Sequence, residues 1–113
     1  IPVPLHKSKL RKRGYNQVSS FASEIAKALN VPIVDDVLLS IKKSSSQVKK
    51  NRLRRVFEVP TKFKVFDFKK LENKHILLVD DVITTGNTVE LCYNELNQIP
   101  NIKLSIATMA FVN

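Results

Sequence analysis

The sequence predicts an α/β fold in which a parallel sheet carries helices on both faces, a three-layer arrangement. Residues 76–79 form a four-residue apolar run, short enough for one strand that is buried on both faces, as strands of parallel sheets are. Apolar residues recur at helical spacing before that run, over 18–29, and after it, over 89–96. A further apolar strand pattern follows at 102–109. Helices that alternate with buried strands are typical of this fold class.

The first helix is predicted over residues 15–30, because its apolar residues are spaced three and one positions apart. The residues that this stripe assigns to the core are Val18, Phe21, Ala22, Ile25, Ala28 and Leu29. Asn30 and Pro32 are predicted to end the helix.

Three strands are predicted in the amino-terminal half. The first covers residues 1–5, although its two prolines cannot donate hydrogen bonds to a neighbouring strand. The other two, at 31–34 and 37–41, are expected as short strands or as a strand pair around Asp35 and Asp36. Those two acids are interpreted as turn residues, since no loop of hydroxyls and glycine follows them.

The carboxyl-terminal half is predicted to contain the central strand and its helix. A short strand at 57–59 precedes an apolar segment, 63–68, which is expected to run from strand into turn. His75 has no metal-like partner near it in the sequence and is interpreted as a residue at the edge of the central strand. The second helix is predicted over 88–98, and the last core strand over 102–109.

Length and composition indicate one modest domain. The chain has 113 residues, of which 43% are hydrophobic, and we expect residues 1–113 to form a single domain from the C-terminal part of a longer protein. The one cysteine, Cys92, excludes an internal disulfide and is expected to be buried on the apolar face of its helix. No apolar run reaches membrane-spanning length, and no signal peptide is recognisable.

The positive charge is concentrated in the first half of the chain. Residues 1–57 hold thirteen Lys/Arg and three Asp/Glu, a net +10, whereas residues 58–113 hold six and seven, a net −1. Together these make the net charge of +9. Such clustering indicates a polyanionic partner or a polyphosphate ligand, with a merely solvated basic face as the alternative.

The residues that follow the central apolar run suit a phosphorylated sugar. Asp80 and Asp81 come first, and carboxylates accept hydrogen bonds from sugar hydroxyls and bind hydrated Mg²⁺. The loop 84–88 then supplies three threonine hydroxyls, together with Gly86, at which the backbone can approach an anion closely. The helix that follows presents free N–H groups and a partial positive charge at its N-terminus. Ligands in open α/β sheets bind at this end of the strands.

Residues 76–88 resemble the phosphoribosyl-pyrophosphate (PRPP) signature of type I phosphoribosyltransferases over all thirteen positions. The resemblance implies a PRPP site formed by Asp80, Asp81, Val82, Ile83, Thr84, Thr85, Gly86, Asn87 and Thr88. An apolar run that ends in two acids also describes a Walker B strand or the acid cluster of a receiver domain. The first alternative requires a phosphate-binding loop ending in Gly-Lys-Ser/Thr upstream, and the sequence has none.

The first basic segment resembles one particular branch of these proteins. Val-Pro-Leu at 3–5, a basic stretch, and then Arg13, Gly14, Tyr15, Asn16 and Gln17 are similar to the ComF family, a branch of the type I phosphoribosyltransferase-like proteins. Residues 13–17 are then the loop that holds the pyrophosphate of PRPP. At the glycine, backbone N–H groups could approach the anion closely, and the arginine guanidinium would add several N–H donors.

The second basic block, residues 42–55, has seven Lys/Arg and no acid. In its position along the chain it resembles the mobile loop that closes over PRPP in type I phosphoribosyltransferases, in a shortened form. A segment this basic would neutralise several phosphates with little preference for sequence. The residues predicted to bind nucleic acid across both basic segments are Lys9, Arg11, Lys12, Lys42, Lys43, Lys49, Lys50, Arg52, Arg54 and Arg55.

The resemblance implies two functions that can coexist. One is binding of PRPP with Mg²⁺, with Asp80 and Asp81 as catalytic and metal-binding residues if the site turns over. The other is a cytoplasmic role in natural transformation, in uptake and handling of incoming single-stranded DNA beside a competence helicase. An active phosphoribosyltransferase of nucleotide or base salvage without a DNA role is the alternative. No hood segment that would select an acceptor is recognisable, and the N-terminal zinc module common in ComF proteins is absent from this sequence.

Overall fold

The computed structural model describes residues 1–5, 11, 14, 16–42 and 61–112. Its helices and strands, in chain order, are α1 (Gln17–Leu29), β1 (Leu38–Lys42), β2 (Thr61–Val65), α2 (Phe68–Leu71), β3 (His75–Ile83), α3 (Asn87–Leu96) and β4 (Lys103–Phe111). The predicted strand at 57–59 and the second basic block beyond Lys42 lie outside the described residues.

The predicted parallel sheet is centred on β3. Strand β4 pairs with it in parallel, from His75 opposite Lys103 to Ile83 opposite Phe111. The amino-terminal segment joins through a parallel bridge, in which the Val3 N–H donates to the Val79 carbonyl at 2.7 Å. Because Val79 pairs with both neighbours, the two must lie on opposite edges of β3. The segment predicted as a first strand therefore joins the sheet, by one bridge rather than a full ladder.

Helices cover both faces of β3, which confirms the layered α/β arrangement. Leu77 and Val79 face α1, where Val79 packs with the buried side chains of Val18 and Ala22. Ile76 and Leu78 point to the other face and pack with three buried residues of α3, which are Val89, Cys92 and Leu96. The alternation explains why the central run is apolar throughout, because side chains on both faces meet a helix.

Helix α1 confirms the first predicted helix within two residues at either end. Asn16 caps its start, accepting the Val18 N–H at 3.1 Å, and Asn30 ends it in a left-handed conformation with φ of 57°. The predicted core stripe is wrong at its end: Ala28 is exposed and Leu29 is 58% exposed. Leu77, Val79 and Ala107 of the sheet pack against α1 only as far along the helix as Ile25, so the last turn extends past this contact.

Of the two strands predicted at 31–34 and 37–41, the second is confirmed within one residue as β1, whereas the first, and with it the pairing of the two, is wrong. Residues 31–34 form no strand, and β1 instead pairs antiparallel with β2, from Leu38 opposite Val65 to Lys42 opposite Thr61. Leu38 and Val65 are buried in the core that includes α3. The correct partner is distant in sequence, and short-range patterning does not reveal such a pairing. Asp36 does lie at a bend, in agreement with its predicted turn role.

Strand β3 is longer than its apolar run. It continues through Asp80 and Asp81 to Ile83, so the two acids lie within the strand rather than after it. Pairing with β4 extends this far, because Val82 lies opposite Ala110 and the Val112 N–H donates to the Ile83 carbonyl at 3.0 Å. No helix in the described part of the chain is long and apolar enough to cross a membrane.

Candidate functional site

The loop after β3 leads directly into an open helix N-terminus. Gly86 caps α3 with φ of 85° and ψ of 0°, a left-handed conformation that favours glycine. The first helical bond runs from the Glu90 N–H to the Gly86 carbonyl at 2.9 Å. The Thr85 hydroxyl accepts the Asn87 N–H at 3.3 Å. Thr88 and Val89 therefore contribute N–H groups that have no partner inside the helix, and these can bind an anion.

The loop's hydroxyl groups are accessible from solvent. Thr84, Thr85 and Thr88 are exposed, and Gly86 is half-buried. This is the arrangement that the sequence predicted, except that α3 begins one residue earlier, at Asn87. Three hydroxyl donors and a helix N-terminus in five consecutive residues can surround one phosphoryl group.

We expect Gly86→Ala to destabilise the protein through backbone strain alone. A Cβ added there would have no atom within 4 Å, so no clash results, but φ stays in the left-handed region, which costs a non-glycine residue about 1 kcal/mol. The measurement is urea unfolding of the two proteins. Gly14→Ala is a second instance of the same change and should lose a similar amount of stability, since Gly14 has φ of 78° and equally open surroundings. An alanine at residue 86 that leaves the unfolding midpoint unchanged would contradict the assigned conformation.

The two adjacent carboxylates occupy different environments. Asp80 is 7% exposed and Asp81 is half-buried. Each accepts the N–H of the following residue, with the Asp81 N–H at 2.8 Å from Asp80 Oδ1 and the Val82 N–H at 2.7 Å from Asp81 Oδ1. Asp80 continues the alternation of Ile76 and Leu78 towards α3. The buried carboxylate is thus held at the sheet, while Asp81 is the more accessible of the two.

Burial raises the pKa of the Asp80 carboxyl above its ordinary value. The adjacent Asp81 carboxyl raises the Asp80 pKa further, by hydrogen bonding and by like-charge repulsion, and the Asp81 backbone N–H acts in the opposite direction. Ionisation of Asp80 is therefore unfavourable in this environment. A cation or a hydroxyl donor beside it would relieve that cost.

Cys92 is fully buried, as predicted, and its thiol is a free one. Burial, with a contribution from the Asp80 charge, raises the pKa of the Cys92 thiol from 9.0 to about 12.

We expect Cys92 to be inert in the native protein. Because the pKa of the Cys92 thiol is about 12 rather than 9.0, its thiolate fraction at pH 8 is about a thousandfold lower, and the thiolate is the reactive form. Labelling with an aromatic disulfide reagent should therefore proceed only as fast as the protein opens, and in denaturant the one thiol should react at once. Rapid stoichiometric labelling without denaturant would contradict the buried placement.

The predicted pyrophosphate loop is partly described. Gly14 takes φ of 78° and is exposed, whereas Arg13 and Tyr15 lie outside the described residues. Asn16 caps α1 through its side-chain oxygen, so its amide nitrogen is the atom left to meet a ligand. Gln17 is exposed in the first turn of the helix.

Topology brings the two predicted loops to one edge of the sheet. The segment 1–5 runs parallel to β3, so its carboxyl end and that of β3 point to the same edge. Helix α1 then packs its N-terminal half against Val79 on one face, while α3 starts after β3 and packs on the other. The first turns of α1 and α3 therefore pack on opposite faces of the strand that carries Asp80 and Asp81.

The sequence reasoning missed Thr108. This residue lies opposite Asp80 in the β3–β4 register, and its hydroxyl lies within hydrogen-bond distance of two carbonyls, 3.0 Å from Asp81 and 2.8 Å from Ala110. The Thr108 hydroxyl therefore links the carboxyl end of β4 to the backbone carbonyl of Asp81. The sequence marks Thr108 only as the single hydroxyl residue in the apolar run 106–111. The β3–β4 register is needed to show which backbone groups this hydroxyl contacts.

The donor chemistry of the acid pair fits a magnesium ion. Carboxylate oxygens are ligands of Mg²⁺, which usually keeps several waters and completes its shell with substrate oxygens. Within the described ranges no group of three His, Cys, Asp or Glu side chains could enclose a metal by itself. Asp80 and Asp81 could therefore hold Mg²⁺ only together with water or a ligand.

Comparison with known proteins identifies the class. Residues 19–110 match the phosphoribosyl transferase domain, and the chain belongs to that family. It is also similar to Competence protein F of Haemophilus influenzae (strain ATCC 51907 / DSM 11121 / KW20 / Rd), with 28% identity over 105 residues. That alignment covers 88% of this chain and 42% of the relative, so the chain spans less than half of the relative's length. No solved structure matches the chain. The protein is thus ComF-like, with a type I phosphoribosyltransferase domain.

Proposed function

We propose that this protein binds PRPP with Mg²⁺ at the carboxyl edge of β3 and acts in natural transformation, where it handles incoming single-stranded DNA. The observation that supports the PRPP proposal is that the first turns of two helices pack on opposite faces of the strand that carries the acid pair. PRPP has a phosphate at one end, a pyrophosphate at the other and a diol between them. Two separate anion sites with carboxylates between them match that distribution of groups.

The assigned roles follow the chemistry of each group. The N–H groups and hydroxyls of the loop 84–88 would bind the 5′-phosphate. Asp80 and Asp81 would accept hydrogen bonds from the ribose hydroxyls or would hold Mg²⁺. The ion would act as a Lewis acid towards the pyrophosphate. Gly14 and the start of α1 would bind the pyrophosphate, together with the predicted residues Arg13 and Tyr15.

If the site turns over, the bond between C1 and the pyrophosphate oxygen breaks and the pyrophosphate leaves with the electron pair. The ribose is left with oxocarbenium character, and a nucleophilic acceptor then bonds to C1. The carboxylates would stabilise the positive charge on the sugar, while donors at the start of α1 would stabilise the charge on the leaving group. Binding thus rests on more of the described residues than turnover does, because no acceptor site is assigned.

The proposed role in DNA uptake rests on the similarity to Competence protein F and on charge. The second basic block connects two strands that are themselves basic, since β1 and β2 contain three lysines and no acid. A cytoplasmic location and a competence helicase as partner belong to the same proposal. Salvage without a DNA role is the alternative, and failure to bind single-stranded DNA at low salt would favour it.

Calorimetric titration with PRPP, with and without Mg²⁺, tests the site directly. We expect one PRPP per chain, with binding weakened when Mg²⁺ is removed. Ribose 5-phosphate and pyrophosphate, titrated separately, should each bind more weakly than PRPP, because each reaches only one of the two helix N-termini. A folded sample that takes up no PRPP at millimolar concentration would refute the proposed site.

A further inference from the structure

The β1–β2 hairpin presents an outward face that the site at β3 does not use. Leu38 and Val65 point inward and are buried, whereas Leu39 and Ile41 are 38% and 37% exposed on the opposite side of the strand. Lys64 lies directly opposite Leu39 and is exposed. The face therefore combines aliphatic surface with a cation.

Phe66 extends this face beyond the end of β2. It is 55% exposed, and its N–H donates to the Val37 carbonyl at 2.9 Å, which fixes its backbone beside β1. The Lys64 ammonium lies 5.3 Å from the centre of the Phe66 ring, within the range of a cation–π contact. An aromatic ring held by backbone pairing beside a cation offers a stacking surface next to a charge that can meet a phosphate.

The net charge of the sequence that contains β1 and β2 indicates which kind of partner this face would bind. Residues 37–66 contain nine Lys/Arg and one acid, a net +8 within a chain whose total is +9. A polyanion is therefore the matching partner, and an exposed aromatic favours one with flat unpaired bases. In a duplex the faces of the bases are stacked against one another, and an acidic peptide does not present a planar ring at every position.

We propose that the outward face of the hairpin binds single-stranded nucleic acid, with an unpaired base stacked on Phe66 and a backbone phosphate near Lys64. Neither residue belongs to the nucleic-acid-binding set predicted from the sequence. The inference rests on the proposed function, to which it adds a defined base-stacking position. The basic block supplies affinity for any polyanion, and Phe66 supplies the preference for unpaired bases.

The test measures binding of the full chain to three labelled probes of equal length. These are a single-stranded oligothymidine, an abasic strand with the same phosphates, and a duplex. We expect Phe66→Leu to weaken oligothymidine binding about five- to tenfold and to leave binding of the abasic strand unchanged, since stacking on one aromatic side chain contributes on this scale. Phe66→Tyr should bind like the original protein.

Phe68→Leu is the matched control, because Phe68 is 42% exposed at the start of α2 and has no cation over its ring in the described structure. It should bind all three probes normally. Lys64→Gln should weaken binding of the oligothymidine and the abasic strand alike.

Several outcomes would overturn the stacking position while leaving the DNA role intact. One is binding of oligothymidine that Phe66→Leu does not change, and another is an equal loss for the abasic strand. A third is displacement of oligothymidine by an acidic polypeptide of equal charge at equal concentration, which would indicate a protein partner. Absence of oligothymidine binding by the original protein would instead refute the proposed DNA role.

Discussion

Replacing Asp80 and Asp81 together with asparagine is expected to abolish measurable PRPP binding. The change removes both charges that would hold Mg²⁺ and the strongest acceptors for the ribose hydroxyls, while the loop that would bind the 5′-phosphate stays in place. Calorimetric titration should show at least about a hundredfold loss, since hydrogen bonds to charged groups contribute about 1.5–3 kcal/mol each. Binding of single-stranded DNA should persist or become slightly tighter, because two negative charges are removed.

The pH dependence of stability distinguishes this loss from unfolding. The pKa of Asp80 is raised in the folded protein, so the folded state binds more protons than the unfolded state between about 3.8 and that higher pKa. Stability contributed by this group is present below pH 3.8 and is lost as pH rises through the folded value. Asparagine carries no charge to bury, and the variant should therefore melt at or above the temperature of the original protein at pH 7.

Two results would contradict the assignment. A double variant that still binds PRPP with unchanged affinity would show that the acids do not form the site. A variant that is folded at pH 7 yet loses DNA binding as well would show that the two ligands share one site. Asp35→Asn with Asp36→Asn is the matched control, since it removes two adjacent exposed acids elsewhere and should change neither affinity.

Charge reversal of the second basic block should have the largest effect on DNA binding. The five replacements are Lys49→Glu, Lys50→Glu, Arg52→Glu, Arg54→Glu and Arg55→Glu. Each changes the charge by two, so the net charge moves from +9 to −1. If all five residues contact phosphates, the original protein should lose about a hundredfold in affinity for single-stranded DNA between 50 and 200 mM salt. The variant should bind too weakly to measure at either salt concentration.

A second variant, in which five other lysines are reversed in charge, tests whether DNA affinity depends on the position of the positive charges or only on their number. Five lysines outside the block and outside the site can be reversed to reach the same net charge: Lys27, Lys69, Lys70, Lys74 and Lys103. All five lie in the described structure, and Lys74 and Lys103 lie at the edge of the sheet opposite the acids. This control should retain most of its DNA affinity, measured by fluorescence anisotropy. Equal loss in both variants would mean that net charge alone attracts the DNA.

Features that depend on neighbouring residues were predictable from the sequence. The order of the apolar run, the acids, the threonine and glycine loop, and α3 follows from local periodicity and turn chemistry, and the structure confirms it with β3 extended through the acids. The same holds for α1, whose caps Asn16 and Asn30 act within one helical turn. Burial of Cys92 followed from its place in the apolar stripe of α3.

Features that depend on distant partners were not predictable. The pairing of β1 with β2 joins residues 19 to 27 positions apart, and its cross-strand contacts leave no local pattern. Exposure of Leu29 depends on where the sheet beneath α1 ends. The position of Thr108 beside Asp80 depends on the β3–β4 register.

The sequence by itself determined the chemical groups of the candidate site, because an apolar run, two carboxylates, three hydroxyls and a glycine occur within thirteen consecutive residues. Only the tertiary structure decided how these groups are used. Parallel pairing of residues 1–5 with β3 directs both loops to one edge, and burial against α3 makes Asp80 differ from its neighbour Asp81. The physical reason is that hydrogen-bond chemistry belongs to each residue, whereas burial and convergence arise from packing between segments far apart in the chain.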